Sequence, residues 1–373
     1  MQIKQLNAYL IHWPFNLAVS HSLADNTATD NIVVALVDGQ GHVGYGEGVP
    51  RSYVTGETVQ GSLEALERDL APLTLGASLE PEEALGWLEK QAGSQVVDRC
   101  PAAACAVETA LLDLAGQIME RPVSALLSSA APGPVTYSAV IPLLPPQMLP
   151  AILDQAKALN FKQVKVKVRR EGAAELMAQV RRALGPQVHL RVDANGAWSA
   201  AEAVQTIRAM APSKVEAVEQ PVAKEDLEGL IQVAAQTEPL VLADESLCTM
   251  HDAKRLMDNR PGIGFNLRLS KCGGPARTKA LLEMASRQGL ACMLGCQVGE
   301  LGLLSALGRH FAAVHQQLIY LEGCLTRFFM DRDLTQQDFT FGPGGAATPL
   351  TEPGLGVQVD TAALNGSRAF SLS

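Results

Sequence analysis

The sequence predicts an α/β protein built on a (β/α)7β TIM-like barrel, preceded by a small α+β domain that the C-terminal tail helps to complete. Three observations carry this. Strand-like runs in the middle of the chain end in charged residues at near-constant steps: Lys167 in VKVKV, Asp193 in LRVD, Glu219 in AVE and Asp244 in LVLAD, separated by 26, 26 and 25 residues. Each step accommodates one strand, one loop and one helix, as in a parallel βα array. Eight strand candidates separated by seven helical segments fill residues 131–328, and the first 130 residues read differently, with strands first and helices after.

In the N-terminal part, residues 2–12 and 31–37 alternate as strands do, and Asp38-Gly39-Gln40-Gly41 is a turn signal leading into HVGYGEG. Residues 57–71, 81–92 and 102–119 have helical spacing. The last of these places Ala106, Ala110, Leu111, Leu114 and Ile118 on one face. The expected division is a domain over 1–130, a barrel over 131–328 joined through Ala131-Pro132-Gly133-Pro134, and a tail over 329–373 packing back on the first domain.

Barrel strands are expected at 135–141, 164–168, 190–194, 217–221, 240–245, 264–269, 291–296 and 318–323. Helices are expected at 147–159, 172–184, 200–210, 224–236, 250–259, 276–288 and 300–314. A doubly wound open sheet is disfavoured. No glycine-rich phosphate turn follows the first strand, and the charged residues recur on successive strands instead of gathering at one switch point.

Composition narrows the function classes. A formal charge of −9 excludes nucleic acid as the default partner. No apolar run spans a bilayer, and the N-terminus, MQIKQLNAYLIHW, has no leader-like apolar region. The seven cysteines are odd in number, scattered and without a CxxC pair, which predicts a reducing, cytoplasmic setting. Cys292 and Cys296 read as small packing residues and not as a zinc pair, and no HxH or HExxH spacing occurs.

Strand ends of a βα barrel converge on one mouth. Lys165 and Lys167, two apart on one strand, share a face and point together. Two ammonium groups beside a divalent cation disfavour the charged form, which predicts a lysine able to accept a proton near neutral pH. Asp193, Glu219 and Asp244 end apolar strands, where unpaired carboxylates are costly; three oxygen donors with room for water and substrate suit Mg2+. Asn195 and Ser199 are placed to cap the helix that follows Asp193, leaving that carboxylate free.

These residues lie in motifs that resemble the enolase superfamily, specifically its mandelate racemase/muconate lactonizing enzyme group: VKVKV, VDANGAW, VEQP, ADES and KCGG, with AVETALLDLAG and VGYGEGVP in the N-terminal part. The resemblance covers nearly the whole chain and implies an N-terminal capping domain over a barrel. It also implies metal-assisted removal of a proton α to a carboxylate. By resemblance, Asp193, Glu219 and Asp244 bind Mg2+ (or Mn2+), Lys167 abstracts the proton, and Lys165 orients the carboxylate. Asn195 and Glu245 hold those ligands. Gln297 and Glu300 follow the seventh strand, where the family often carries a glutamate supporting a second lysine. Loops around His21 and Tyr53 close over the mouth. The expected partner is a small-molecule carboxylate, and the expected assembly a homo-oligomer.

The chain departs from that pattern at the sixth barrel strand. Arg268, 24 residues after Asp244, stands where the group usually has the second lysine. Lys271 has the opposite strand parity, so it is expected to point away from the barrel centre if the strand runs that far. Arginine stays protonated and is a poor second base. The Asp-x-Asp pair that dipeptide epimerases of the group carry on the last strand is replaced by Glu322-Gly323-Cys324. Glu322 is then a candidate for recognising a cationic group. The expectation is a one-base lyase (dehydratase) or cycloisomerase. The alternatives are a racemase or epimerase of an amino-acid derivative, and a catalytically altered binding protein.

Overall fold

The computed structural model describes the chain apart from residues 22–23, 144 and 259–261, and describes side chains apart from those of 17–26 as well. The alternating N-terminal segments form a long hairpin, β1 (Ile3–His21) and β2 (Ala24–Asp38), followed by β3 (Val43–Gly48). The last strand of the chain, β13 (Arg368–Leu372), pairs antiparallel with β1, giving the order β13-β1-β2-β3.

The VGYGEG motif has a packing role. A Cβ at Gly44, Gly46 or Gly48 would fall 2.3, 2.0 or 1.9 Å from the carbonyl oxygens of Ala110, Ala106 and Ala102. Glycine at every second strand position meets alanine carbonyls at every fourth helix position, so the helix Pro101–Ile118 lies directly on β3. That helix is buried from Pro101 to Gly116 and has no solvent face in this stretch, unlike the one-sided stripe the sequence suggests. The segment 57–71 is broken into Val59–Ala65 and a wider turn at Leu66–Leu70. In 81–92 only a short 3-10 turn and Trp87–Ala92 are helical.

The second sheet is parallel, with strands in chain order: β5 (Ala139–Ile141), β6 (Gln163–Lys167), β7 (His189–Asp193), β8 (Val215–Glu219), β9 (Leu240–Ala243), β10 (Ile263–Leu267) and β11 (Cys292–Leu294). The expected first strand is split: β4 (Val135–Thr136) leaves the barrel to pair with β12 (Ala346–Ala347). The eighth position is filled by 319–322 as a bridge, not a full strand. Leu294 N donates to Tyr320 O at 3.0 Å, Glu322 N to Leu294 O at 2.8 Å, and Ser138 N to Leu321 O at 2.8 Å, which closes the barrel. Helices such as Leu149–Ala158, Ala173–Leu184, Pro275–Arg287 and Gly302–Val314 connect the strands and cover the outside. Inside, Ala217, Leu242 and Met293 form a small apolar plug beneath a polar layer. No described helix is long and apolar enough to cross a membrane.

Candidate active site

Strand alternation determines which side chains enter the barrel. On β6, Val164 and Val166 face the helices, while Lys165 and Lys167 face inward, 3% and 9% exposed. On β7 the same parity sends Arg191 and Asp193 inward. Glu219 ends β8, Asp244 follows β9, and Arg268 follows β10. Asp193, Glu219 and Asp244 are fully buried. Because β6 and β10 are four positions apart in an eight-position wall, Lys167 and Arg268 stand on opposite sides of the mouth.

The charges interleave. Lys165 Nζ lies 2.8 Å from Glu322 Oε2 and 3.4 Å from both Asp193 Oδ2 and Glu219 Oε2. Lys167 Nζ is 3.0 Å from Asp193 Oδ2 and donates to Asn195 Oδ1 at 2.8 Å. Arg268 Nη2 pairs with Asp244 and lies 3.6 Å from Glu219 Oε1. Burial alone lowers a lysine pKa, but Glu219, Glu322 and Asp193 outweigh it, and Lys165 is held well above its ordinary value. Carboxylates and not a second ammonium are the nearest neighbours of Lys165. Asp193 is pushed up by burial and pulled below its usual range by Lys167 and Lys165. Glu219 is raised by burial and then by the charge of Asp193.

Glu322 is not free to meet a substrate's cation. Its two oxygens take Lys165 and Arg191, and these charges overcome burial to hold its carboxyl below the ordinary range. Arg191, 1% exposed, also donates to Ser138 Oγ at 2.9 Å and covers the Tyr320 ring at 4.6 Å. The sequence reading missed Arg191, although its parity with Asp193 was sufficient to place it inside. The condition on which Lys271 was expected to point outward is not met. Because β10 ends at Leu267, strand parity does not extend to Lys271. Its fully buried ammonium folds back to Asp244 Oδ1 (2.9 Å), Asp244 O (2.7 Å) and Asn266 O (2.8 Å).

Local backbone supports the same carboxylates. Asn195 and Gln220, with φ of 43° and 37°, turn the chain just past Asp193 and Glu219. Gln220 Oε1 accepts from Asp244 N (3.0 Å) and Ser246 N (3.1 Å), and Asn195 Nδ2 donates to Glu245 Oε1 at 3.0 Å. Ser199, not Asn195, caps the helix Ala200–Ala209, with Glu202 completing the box.

A cavity of about 60 Å³ opens at this mouth, lined among others by Lys165, Lys167, Arg268, Gln297 and Glu300, with Tyr53 contributed by the N-terminal part. Gln297 links the far side: its Oε1 accepts from Arg268 Nη1 at 2.9 Å, and its N–H donates to Glu300 Oε1 at 2.6 Å. Glu300 reaches the cavity, yet its carboxyl sits among buried atoms, and that burial pushes its pKa up to about 8. The N-terminal part is fastened beside this wall by Arg51 Nη2 to Val298 O (2.7 Å) and by Glu47, which accepts from Leu301 N (2.8 Å) and Leu304 N (3.0 Å). The side chain of His21 lies outside the described residues.

Among the described residues, no three His, Cys, Asp or Glu side chains converge at metal-ligand spacing as the protein stands. Lys165 bridges Asp193 and Glu219, and Arg268 bridges Glu219 and Asp244. The donor chemistry nonetheless fits a hard divalent cation: all three groups are carboxylates at rigid strand ends, and each already attracts cationic groups. Behind them, Glu245 Oε2 is buried without a hydrogen-bond partner among the described residues.

Comparisons with known proteins bear on the family and the fold. A family profile described as mandelate racemase/muconate lactonizing enzyme, N-terminal domain, matches residues 6–128, and one described as enolase C-terminal domain-like matches 149–363. A hydrophobic dipeptide epimerase of Enterococcus faecalis is 31% identical over 362 residues, covering 95% of this chain and 98% of that one. An L-Ala-D/L-Glu epimerase of Bacillus subtilis is 29% identical over 379 residues, covering 99% of this chain and all of that one. The structure of a dipeptide epimerase from Enterococcus faecalis V583, complexed with Mg and the dipeptide L-Leu-L-Tyr, superposes with a TM-score of 0.84 at 28% identity, covering 96% of this chain and 100% of that one.

Proposed function

Since this chain belongs to the mandelate racemase/muconate lactonizing enzyme family of the enolase superfamily, we propose that it removes the proton α to the carboxylate of an amino-acid derivative, with Mg2+, and epimerises or racemises that centre. That it is an enzyme follows from the family, which sets aside the binding-protein alternative. The relatives favour epimerisation over the lyase or cycloisomerase expected from the sequence. The reading is supported by one cavity that both Lys167 on β6 and Glu300 line, with Glu300 tied through Gln297 to Arg268 across the mouth.

Asp193, Glu219 and Asp244 would hold the metal. When bound, Mg2+ supplies Lewis-acid stabilisation of the negative charge that grows on the substrate's carboxylate as the proton leaves. Lys165, kept cationic by Glu219, Glu322 and Asp193, orients that carboxylate. Lys167 takes the α-proton from one face. Arg268 cannot serve as a base, but its fixed charge stabilises the anionic intermediate. Glu300, with a pKa of about 8, is the acid/base for the opposite face. Because Glu322 is committed to Lys165 and Arg191, it is not available to a free substrate ammonium, which favours an N-acylated amino acid over a dipeptide.

The second reading is the one-base lyase or cycloisomerase, and Arg268 itself favours it. One experiment separates the two. N-acyl amino acids and dipeptides are incubated with the enzyme and Mg2+ in D2O and followed by NMR. Deuterium at the α-carbon with inversion supports the proposal, and deuterium with retention or with loss of a β-substituent supports the second reading. No exchange across the panel overturns both.

A further inference from the structure

Beside the mouth lies a larger cavity of about 270 Å³, between β5, the helix Leu149–Ala158 and the segment after the eighth barrel position. Its walls include Ile152, Phe161 and Phe341, and Gln155 is its one polar residue among those described. The two cavities share four residues, Val140 and Pro142 from one side and Leu325 and Phe329 from the other. This is the seam where the barrel closes through the Ser138–Leu321 hydrogen bond. Among the described residues, two of the three exposed large hydrophobics, Met148 and Phe328, 37% and 42% exposed, line the same cavity.

Size and polarity identify the occupant. The mouth, at about 60 Å³, accommodates the reacting carboxylate and α-carbon and little more. A larger substituent must therefore leave it, and the apolar exit runs over Val140, Pro142, Leu325 and Phe329. A cavity of roughly 150 Å³ is enough for benzene, so 270 Å³ admits a ring or a medium acyl chain. A polar group there would lose its water without gaining partners.

We propose that this cavity binds an apolar substituent of the substrate, so that the enzyme acts on amino-acid derivatives carrying a large apolar group away from the carboxylate. The inference rests on the proposed function in one respect, that the mouth takes the carboxylate.

N-acyl alanines from acetyl to octanoyl test it together with their α-methylalanine counterparts, which have no α-proton and report binding alone. With Mg2+ present, calorimetry on the proton-less series should show affinity rising about fourfold per methylene. Ile152→Trp fills the cavity from its helix and should flatten that rise. Phe328→Asp, at the exposed rim, should flatten it as well. Affinity that is level from acetyl to octanoyl in the unmodified enzyme would overturn the proposal. So would a Phe328→Asp variant that dissociates an oligomer and keeps the rise, because a second copy would then cover the cavity. Length-dependent binding with no proton exchange anywhere would support the cavity and refute the α-proton chemistry.

Discussion

Glu322→Gln should destabilise the protein by about 3–5 kcal/mol, through Arg191 more than through Lys165. At an effective dielectric of about 20, unit charges 2.8 Å apart attract by about 6 kcal/mol, the separation of Glu322 Oε2 and Lys165 Nζ. Desolvation of the buried ions offsets most of that when the pair forms. Removing one partner is different. Lys165 keeps Asp193 and Glu219 at 3.4 Å. Arg191, 1% exposed, keeps only the Ser138 hydroxyl and the Tyr320 ring among its described contacts, so its charge is left without an anion. Urea denaturation of the metal-free protein measures the loss. The double replacement Arg191→Met/Glu322→Leu, which removes both charges, should recover stability to within about 1–2 kcal/mol of the parent. A loss below about 1 kcal/mol for Glu322→Gln, the range of exposed pairs, would refute the reasoning.

Other outcomes follow from the same geometry. Lys271→Met removes the donor to Asp244 Oδ1, Asp244 O and Asn266 O; calorimetry should show Mg2+ affinity falling about 10–100-fold. Arg268→Met removes a cation that competes for Asp244 and Glu219, so it should tighten Mg2+ binding while weakening the substrate carboxylate by about 1.5–3 kcal/mol, two opposite signs in one variant. Glu47, raised by burial from 4.5 to about 7, binds its proton more tightly folded than unfolded. Its contribution to stability is therefore fully present below pH 4.5 and lost as pH rises to about 7. Denaturation midpoints should fall across that window, and Glu47→Gln should remove a share on the order of 2–3 kcal/mol.

The barrel and the carboxylate ring were legible because both follow from periodicity. Strand alternation places Lys165 and Lys167 inside, and the spacing of Asp193, Glu219 and Asp244 follows the βα repeat. What was not legible depends on where strands stop and on three-dimensional charge pairing. Lys271 could be placed only conditionally, because the sequence does not announce that β10 ends at Leu267. Strand parity paired Lys165 with Lys167 but could not show that Glu322, 157 residues away in sequence, meets its ammonium at 2.8 Å. In the N-terminal part the helix Pro101–Ile118 was found but its amphipathic face was not, since alanine and glycine bury it on all sides. The pairing of β13 with β1 gives physical form to a tail expected to pack back on the first domain.

The most direct test follows deuterium uptake at the α-carbon of each pure enantiomer of one N-acyl amino acid, with Mg2+ in D2O, by proton NMR. In the unmodified enzyme both enantiomers should exchange. Lys167→Ala should silence one of them and Glu300→Gln the other, with each variant retaining the exchange the other has lost. Exchange of a single enantiomer by the unmodified enzyme, or exchange of both by Lys167→Ala, would contradict a mouth with one proton carrier on each face.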